Sequence, residues 1–353
     1  MSLNDNPADC QYGLRMMSKN INKYVPQGLQ YLAHNITQNH NIMGSSAHDK
    51  ASWSKGLKFP HDYQTIFFAG CGYQYSSDLK SMMSIIRGLD KNPIGIDLPA
   101  RIANFMKGYS FDPVKLMGKF KGKDHSSDKQ ALINAVKILQ ALGFDYGYLS
   151  ENEPCCGGIL YYSGMERSFA DNARSAYQSL KSRSIKEIIS IVPSCTYTLK
   201  KLFPKYVYPF EIKVLHFLEA VAAGIRYKNL ELPSRMKVTY HDPCQLSRFL
   251  QITHEPRLIL ESIKGIELIE TRGTNREMST CCGGGGGFEA VFPELSEKIA
   301  CNRALELTDT GAEVIVTHCP GCILQIRHAL KRLDIKNIEV MDITQIIAMA
   351  MRI

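Results

Sequence analysis

The chain contains one cysteine-bearing unit twice, and this duplication constrains its fold more than any other feature. The copies begin near residues 61 and 233. The first opens on TIFFAGC, ending at Cys71, and the second on KVTYHDPC, ending at Cys244; both read as short β-branched and aromatic strands delivering a cysteine at the C-terminal end. PCCGG at Cys155 and Cys156 then corresponds to TCCGG at Cys281 and Cys282. A helix and a second buried strand follow in each copy, IISIVPSC reaching Cys195 and EVIVTHCPGC reaching Cys319 and Cys322. The CC pairs are offset by 126 residues and the final cysteines by 127, whereas the leading cysteines are offset by 173. The first copy therefore carries about 47 extra residues between Cys71 and Cys155.

Strands alternating with helices predict an α/β architecture: two repeated cysteine-rich domains, each a small, mainly parallel sheet with flanking helices. Residues 1–60 read as an N-terminal arm or linker with a helical stretch near Tyr24 to Ile36, residues 61–232 as the first domain, and 233–353 as the second. The insertion, near 85–130, holds Pro93, Pro99 and Pro113 and reads as a surface excursion with one short helix around Arg101 to Lys107. After it, QALINAVKILQALG has helical periodicity and a C-cap at Gly143. In parallel sheets ligands collect at the carboxyl ends of strands, where the repeated cysteines fall.

Composition narrows the function classes. At 44% apolar and 22% charged residues the chain is an ordinary globular protein, not a disordered or fibrous one. No apolar run reaches the roughly 18 to 20 residues of a membrane span, and the N-terminus MSLNDNPADC lacks the features of a secretory signal, so the expected location is cytoplasmic, with membrane association only through a partner. Eleven cysteines in a reducing compartment point to metal or redox chemistry instead of disulfides. The net charge of +8 includes the cluster Lys115, Lys119, Lys121 and Lys123, but without interleaved aromatics or a nucleic-acid motif it reads as a solvated surface, and no nucleic acid partner is expected.

In the second copy, 36 residues separate Cys244 from Cys281–Cys282, and another 36 separate that pair from Cys319-Pro-Gly-Cys322. Five thiols form a soft-ligand site of the kind that selects iron–sulfur clusters or zinc, and the fifth thiol exceeds what tetrahedral structural zinc uses. Gly283 and Gly284 open a run of five glycines that lets backbone approach a bound group closely, with amides able to donate to sulfur, and Gly157 and Gly158 preserve the feature in the first copy. The helix around ILQIRHALKRL is expected to direct its positive end at an anionic group. His241 and His318 are candidates for ligands, proton donors or hydrogen-bonded structural residues. The first copy keeps Cys71, Cys155, Cys156 and Cys195 but has Val192 in place of the fifth cysteine, leaving four ligands for a cluster or for zinc. Cys301 reads as a buried core thiol; Cys10 stands outside both patterns.

Together FAGC/HDPC, the repeated CCGG and PSC/CPGC resemble the duplicated CCG signature of the heterodisulfide reductase B and D subunit family, over about residues 61–353. Upstream, GLQYLAHNITQNHNIMGSSAHDKASWSKGL is similar to the connector that joins a ferredoxin-type domain to this unit in fused relatives. The resemblance implies a noncubane [4Fe-4S] cluster on Cys244, Cys281, Cys282, Cys319 and Cys322, where a disulfide or similar small acceptor is reduced or oxidised. Cys71, Cys155, Cys156 and Cys195 are left with a second [4Fe-4S] cluster or zinc. It further implies electron exchange with a separate ferredoxin-like iron–sulfur subunit of the C-subunit type or a flavoprotein subunit. Two other readings stay open: an electron relay from a dehydrogenase to a quinone or membrane cytochrome partner, and a zinc-containing assembly module.

Overall fold

The computed structural model describes residues 26–75, 126–226 and 228–353. Cys10, the lysine cluster, the short helix expected at Arg101 to Lys107 and most of the insertion lie outside these residues. Two four-stranded sheets carry the fold. The first contains β1 (Thr65–Phe68), β2 (Gly147–Tyr148), β3 (Glu187–Ser190) and β4 (Lys213–His216) in the order β2-β1-β3-β4. The second contains β5 (Leu230–Tyr240), β6 (Ile263–Leu268), β7 (Val314–Thr317) and β8 (Glu339–Asp342) in the order β6-β5-β7-β8. Every pairing is parallel, so the duplication extends to topology.

Parallel strands are covered by helices on both faces and need apolar side chains in consecutive positions. TIFF, EIIS and VIVT satisfy this: Ile66, Phe67, Phe68, Ile188, Ile189, Ile315 and Val316 are all buried. In the first half the helices Ser126–Ala141, Glu166–Lys181 and Phe217–Ile225 supply the cover; in the second, His254–Glu261, Pro293–Thr308, Pro320–Arg332 and Ile343–Met351 do. Gly143 follows the first of these helices at φ +81°, a left-handed conformation that suits a residue without Cβ.

Residues 26–60, within the stretch read as an arm or linker, lie against the first sheet. The helix Gln27–Asn39 buries Leu29, Leu32 and Ile36, and the Trp53 indole donates to the Tyr148 hydroxyl at 3.1 Å. The two halves share one core, in which Ile343, Ile346 and Ile347 join the same apolar cluster as Leu132, Ile188 and Phe217. Polar contacts reinforce that junction. The buried Tyr73 hydroxyl donates to Asp342 and lies 3.2 Å from His318 Nδ1, itself 3.2 Å from Asp342 Oδ1. The His216 ring meets the His318 ring edge-on at 5.3 Å. Among the described residues no helix is long and apolar enough to cross a membrane.

Candidate metal centre

In each half the leading cysteine sits just past the first strand, in a turn held by a buried carboxylate. In the first half, the chain leaves β1 at Phe68 and enters the short helix Gly70–Gln74, which contains Cys71. Gly70 is at φ +64°, and a Cβ there would lie 2.9 Å from Val192 Cγ2 and 3.0 Å from Cys195 Sγ. The Glu153 carboxylate accepts from the amides of Ala69 at 2.8 Å and Gly70 at 3.0 Å, and from Gln74 Nε2 at 3.0 Å. It thereby fixes the Cys71 turn to the segment entering Cys155. Burial pushes this carboxyl up to about 7, against the lowering influence of Lys50 and the two amides.

Cys71 Sγ lies 3.9 Å from Cys155 Sγ, and Cys156, the next residue in the chain, has its Sγ 3.2 Å from Cys195 Sγ. The Gly157 amide donates to Cys155 Sγ at 3.4 Å. These four thiols form one continuous chain, and the buried Val192 side chain packs beside it, against the faces of Gly70 and Gly72.

The second half repeats the construction with different holding groups. Asp242, two residues before Cys244, is 2% exposed and forms a two-pronged pair with Arg257, Nη1 to Oδ1 and Nη2 to Oδ2 both at 2.8 Å. Asp242 Oδ2 also accepts from the Arg276 amide at 2.8 Å, so the same carboxylate ties the Cys244 turn to the loop that leads into Cys281. Cys244, Cys281, Cys282, Cys322 and Cys319 form a series in which each thiol perturbs the ionisation of the next. Hydrogen bonds from Cys244 and Cys282, with the Gly283 amide, hold the Cys281 thiol well below its ordinary value. At the start of the helix Pro320–Arg332, the Cys322 thiol and then the Cys322 and Gly321 amides lower Cys319. All nine thiols of the two chains are free.

The glycines make room for helices as well as for sulfur. Gly283 is at φ +83°, and a Cβ on it would stand 2.3 Å from the Ser296 carbonyl oxygen of the helix Pro293–Thr308. A Cβ on Gly284 would meet Gln325, one on Gly157 would meet Asn172, and one on Gly158 would lie 2.7 Å from Thr198 Oγ1 and 3.7 Å from Cys156 Sγ. The Gly283 amide donates to Cys281 Sγ at 3.4 Å, repeating the Gly157–Cys155 contact. Gly283→Ala is therefore expected to cost about 3 kcal/mol, at the upper end for left-handed strain, because backbone must also move. Gly285→Ala, at φ +107° with nothing within 4 Å of the added carbon, is the comparison and should cost less in the same urea titration.

A family model described as a cysteine-rich CCG domain matches residues 122–200 and again 238–327. The chain thus carries two cysteine-rich CCG domains and is similar to the heterodisulfide reductase D type. A fumarate reductase (CoM/CoB) subunit of Methanothermobacter marburgensis is 31% identical over 61% of this chain and 42% of its own. A dihydromethanophenazine:CoB–CoM heterodisulfide reductase subunit of Methanosarcina barkeri is 30% identical over 61% of this chain and 54% of its own. EtfAB:quinone oxidoreductase of Syntrophomonas wolfei is 30% identical over 61% of this chain and 31% of its own. The chain spans about half or less of the length of these relatives. The names of these relatives are those of reductases and oxidoreductases.

Within the second CCG copy, His241, Cys282 and Cys322 each bring a ligand atom within 4.8 Å of the others, a group able to approach a metal ion. His318 is instead engaged by Tyr73 and Asp342 in the junction between copies. Cys301 is half-buried on the helix Pro293–Thr308, apart from the thiol chain. Reading the sequence singled out neither Glu153, Asp242 and Arg257 nor Arg303, which brace the CCG turns from behind. The available signal was slight: Glu153 stands two residues before its CC pair and Asp242 two before its leading cysteine.

Proposed function

We propose that this chain is the iron–sulfur subunit of a heterodisulfide-reductase-like complex, exchanging electrons with a partner and reducing or oxidising a disulfide or similar small acceptor at the second CCG copy. The unbroken series of five thiols, Cys244, Cys281, Cys282, Cys322 and Cys319, carries this reading. That donor set is soft and anionic, is lined by an amide donor and faces a helix N-terminus, which suits a [4Fe-4S] group of noncubane type better than a single zinc ion. When bound, such a group would pass electrons one at a time. The protein residues hold it, orient it and limit water around it. The overall change is R–S–S–R′ plus two electrons and two protons giving RSH and R′SH, the electrons coming from a ferredoxin-like or flavin-containing partner subunit.

Val192 favours a second reading. Its side chain takes the place of a fifth thiol in the first copy, so a two-cluster disulfide site is replaced by one complete and one four-thiol set. A relay passing electrons toward a quinone or membrane cytochrome partner needs no more than that, and the name of the Syntrophomonas wolfei relative is in keeping with it.

Iron and acid-labile sulfide on protein purified without oxygen, with EPR of oxidised and reduced forms, tests the iron–sulfur assignment. About eight irons per chain are expected if both thiol chains hold four-iron clusters, and about four irons with one zinc if the first is structural. Zinc without sulfide would leave an assembly module. Anaerobic disulfide and quinone assays on the intact complex then separate the first reading from the second.

A further inference from the structure

His241 is 1% exposed and lies between the thiols of the second site and a buried arginine. Arg303 is fully buried, and its Nε donates to His241 Nδ1 at 3.0 Å. Glu306 at 2.7 Å and the Thr274 carbonyl at 2.9 Å hold the guanidinium in place. The other imidazole nitrogen, Nε2, is buried and has no hydrogen-bond partner among the described residues, and a ring nitrogen of His241 lies within 4.8 Å of the Cys282 and Cys322 thiols.

A guanidinium has donors only and stays charged. Nδ1 must therefore present its lone pair to Arg303, and a neutral ring then carries its proton on Nε2. A ligating histidine has the opposite arrangement: its remote nitrogen donates to a carboxylate or carbonyl, freeing the near lone pair for the metal. Coordination through Nε2 here would require an imidazolate or a broken Arg303 contact. A doubly protonated ring would turn an N–H, and a positive charge, against the arginine.

We propose that His241 is a hydrogen-bond donor to this site and not one of its ligands: Nε2–H points at a sulfur of Cys282 or Cys322, or of the group those thiols hold, and Arg303 is the positioning residue that fixes the tautomer. The assignment deepens the iron–sulfur reading and rests on it for the identity of the bound group. It also separates the two CCG copies. Phe68, the last residue of β1, occupies the place of His241, and the helix Glu166–Lys181 has Ala176 and Tyr177 where its counterpart has Arg303, so neither counterpart position supplies such a donor. A hydrogen bond to sulfur stabilises the more negative, reduced form, so the second site is tuned upward by a device that the matching positions of the first lack.

The test uses the full chain, labelled with ¹⁵N-histidine and purified without oxygen. Hyperfine spectroscopy on its EPR signal should show a proton coupling that disappears in deuterium oxide, with only weak ¹⁵N coupling. His241→Leu should retain iron and sulfide, lose that exchangeable coupling and shift the reduced-to-oxidised ratio at fixed potential about tenfold toward oxidised, about 59 mV for one electron. His241→Gln, which keeps an N–H, should recover part of the shift, and Arg303→Met should weaken the coupling with His241 intact. Strong coupling from a directly bound nitrogen, iron lost in step with His241→Leu, or an unmoved potential would each overturn the assignment. The ¹⁵N measurement on the unmodified chain decides the matter even if a variant does not fold. Acid-labile sulfide missing from the unmodified chain would overturn the iron–sulfur reading, and this assignment with it.

Discussion

Cys282→Ser is expected to remove about four irons per chain, abolish the EPR signal of the second site and reduce disulfide turnover by at least two orders of magnitude, while the fold persists. Cys282 is the middle member of its thiol series, its ionisation perturbed by Cys281 on one side and Cys322 on the other, and it is 3% exposed. A serine hydroxyl at that place is a harder and less acidic donor that does not replace thiolate. Iron and sulfide content, EPR and turnover on the intact complex check the three parts separately. Lost signal with undiminished disulfide turnover would remove the substrate chemistry from this site and leave the relay. Unchanged iron would remove the assignment of the five thiols altogether.

Arg257→Ala is expected to cost about 3 to 5 kcal/mol, because it leaves the buried Asp242 carboxylate without its counter-ion. The guanidinium is 2% exposed, bonds to both oxygens of Asp242 and to Glu270, and stacks over the Tyr240 ring at 5.5 Å. Urea unfolding measures the loss. A double-mutant cycle with Asp242→Ala identifies its cause: the double variant should lose clearly less than the two single losses added together. Since Asp242 also holds the Arg276 amide, the Arg257 variant should release metal more readily than the unmodified chain under a chelator challenge. Retention of metal at an unchanged rate would show that the Cys244 turn is held by other contacts.

What could be read from the sequence, and what could not, follows from the range of the forces involved. The strands β1, β3 and β7 and the buried end of β5, Val238 to Tyr240, were legible because burial on both faces leaves β-branched, aromatic and apolar residues in consecutive positions. Their neighbours were not: β2 is Gly147 and Tyr148 alone, β4 and β8 open on Lys213 and Glu339, and β6 is half-exposed. Thiol spacing was legible because a repeated CC pair has few other uses. The groups behind the thiols were hidden, since Glu153, Asp242, Arg257 and Arg303 look in a sequence like ordinary surface charges. Their burial is decided by partners elsewhere in the chain, and Tyr73 meets Asp342 across 269 positions. His241 was visible as a candidate, but its choice between ligand and donor depends on Arg303, 62 residues away.

The junction of Tyr73, His216, His318 and Asp342 bears on how such a duplicated gene can change. His216 and Asp342 end the corresponding strands β4 and β8, and each caps the helix that follows, with Glu219 and Gln345 completing the box. That shared local duty survived while their outward faces diverged, one ring meeting His318 and one carboxylate accepting from Tyr73. A cut between Ile225 and Leu230 would leave Tyr73 and His216 on one fragment and His318 and Asp342 on the other, each baring apolar surface and polar groups that the other now covers. A change to either copy at Tyr73, His216, His318 or Asp342 therefore has to be met by the other copy if the junction is to keep its contacts.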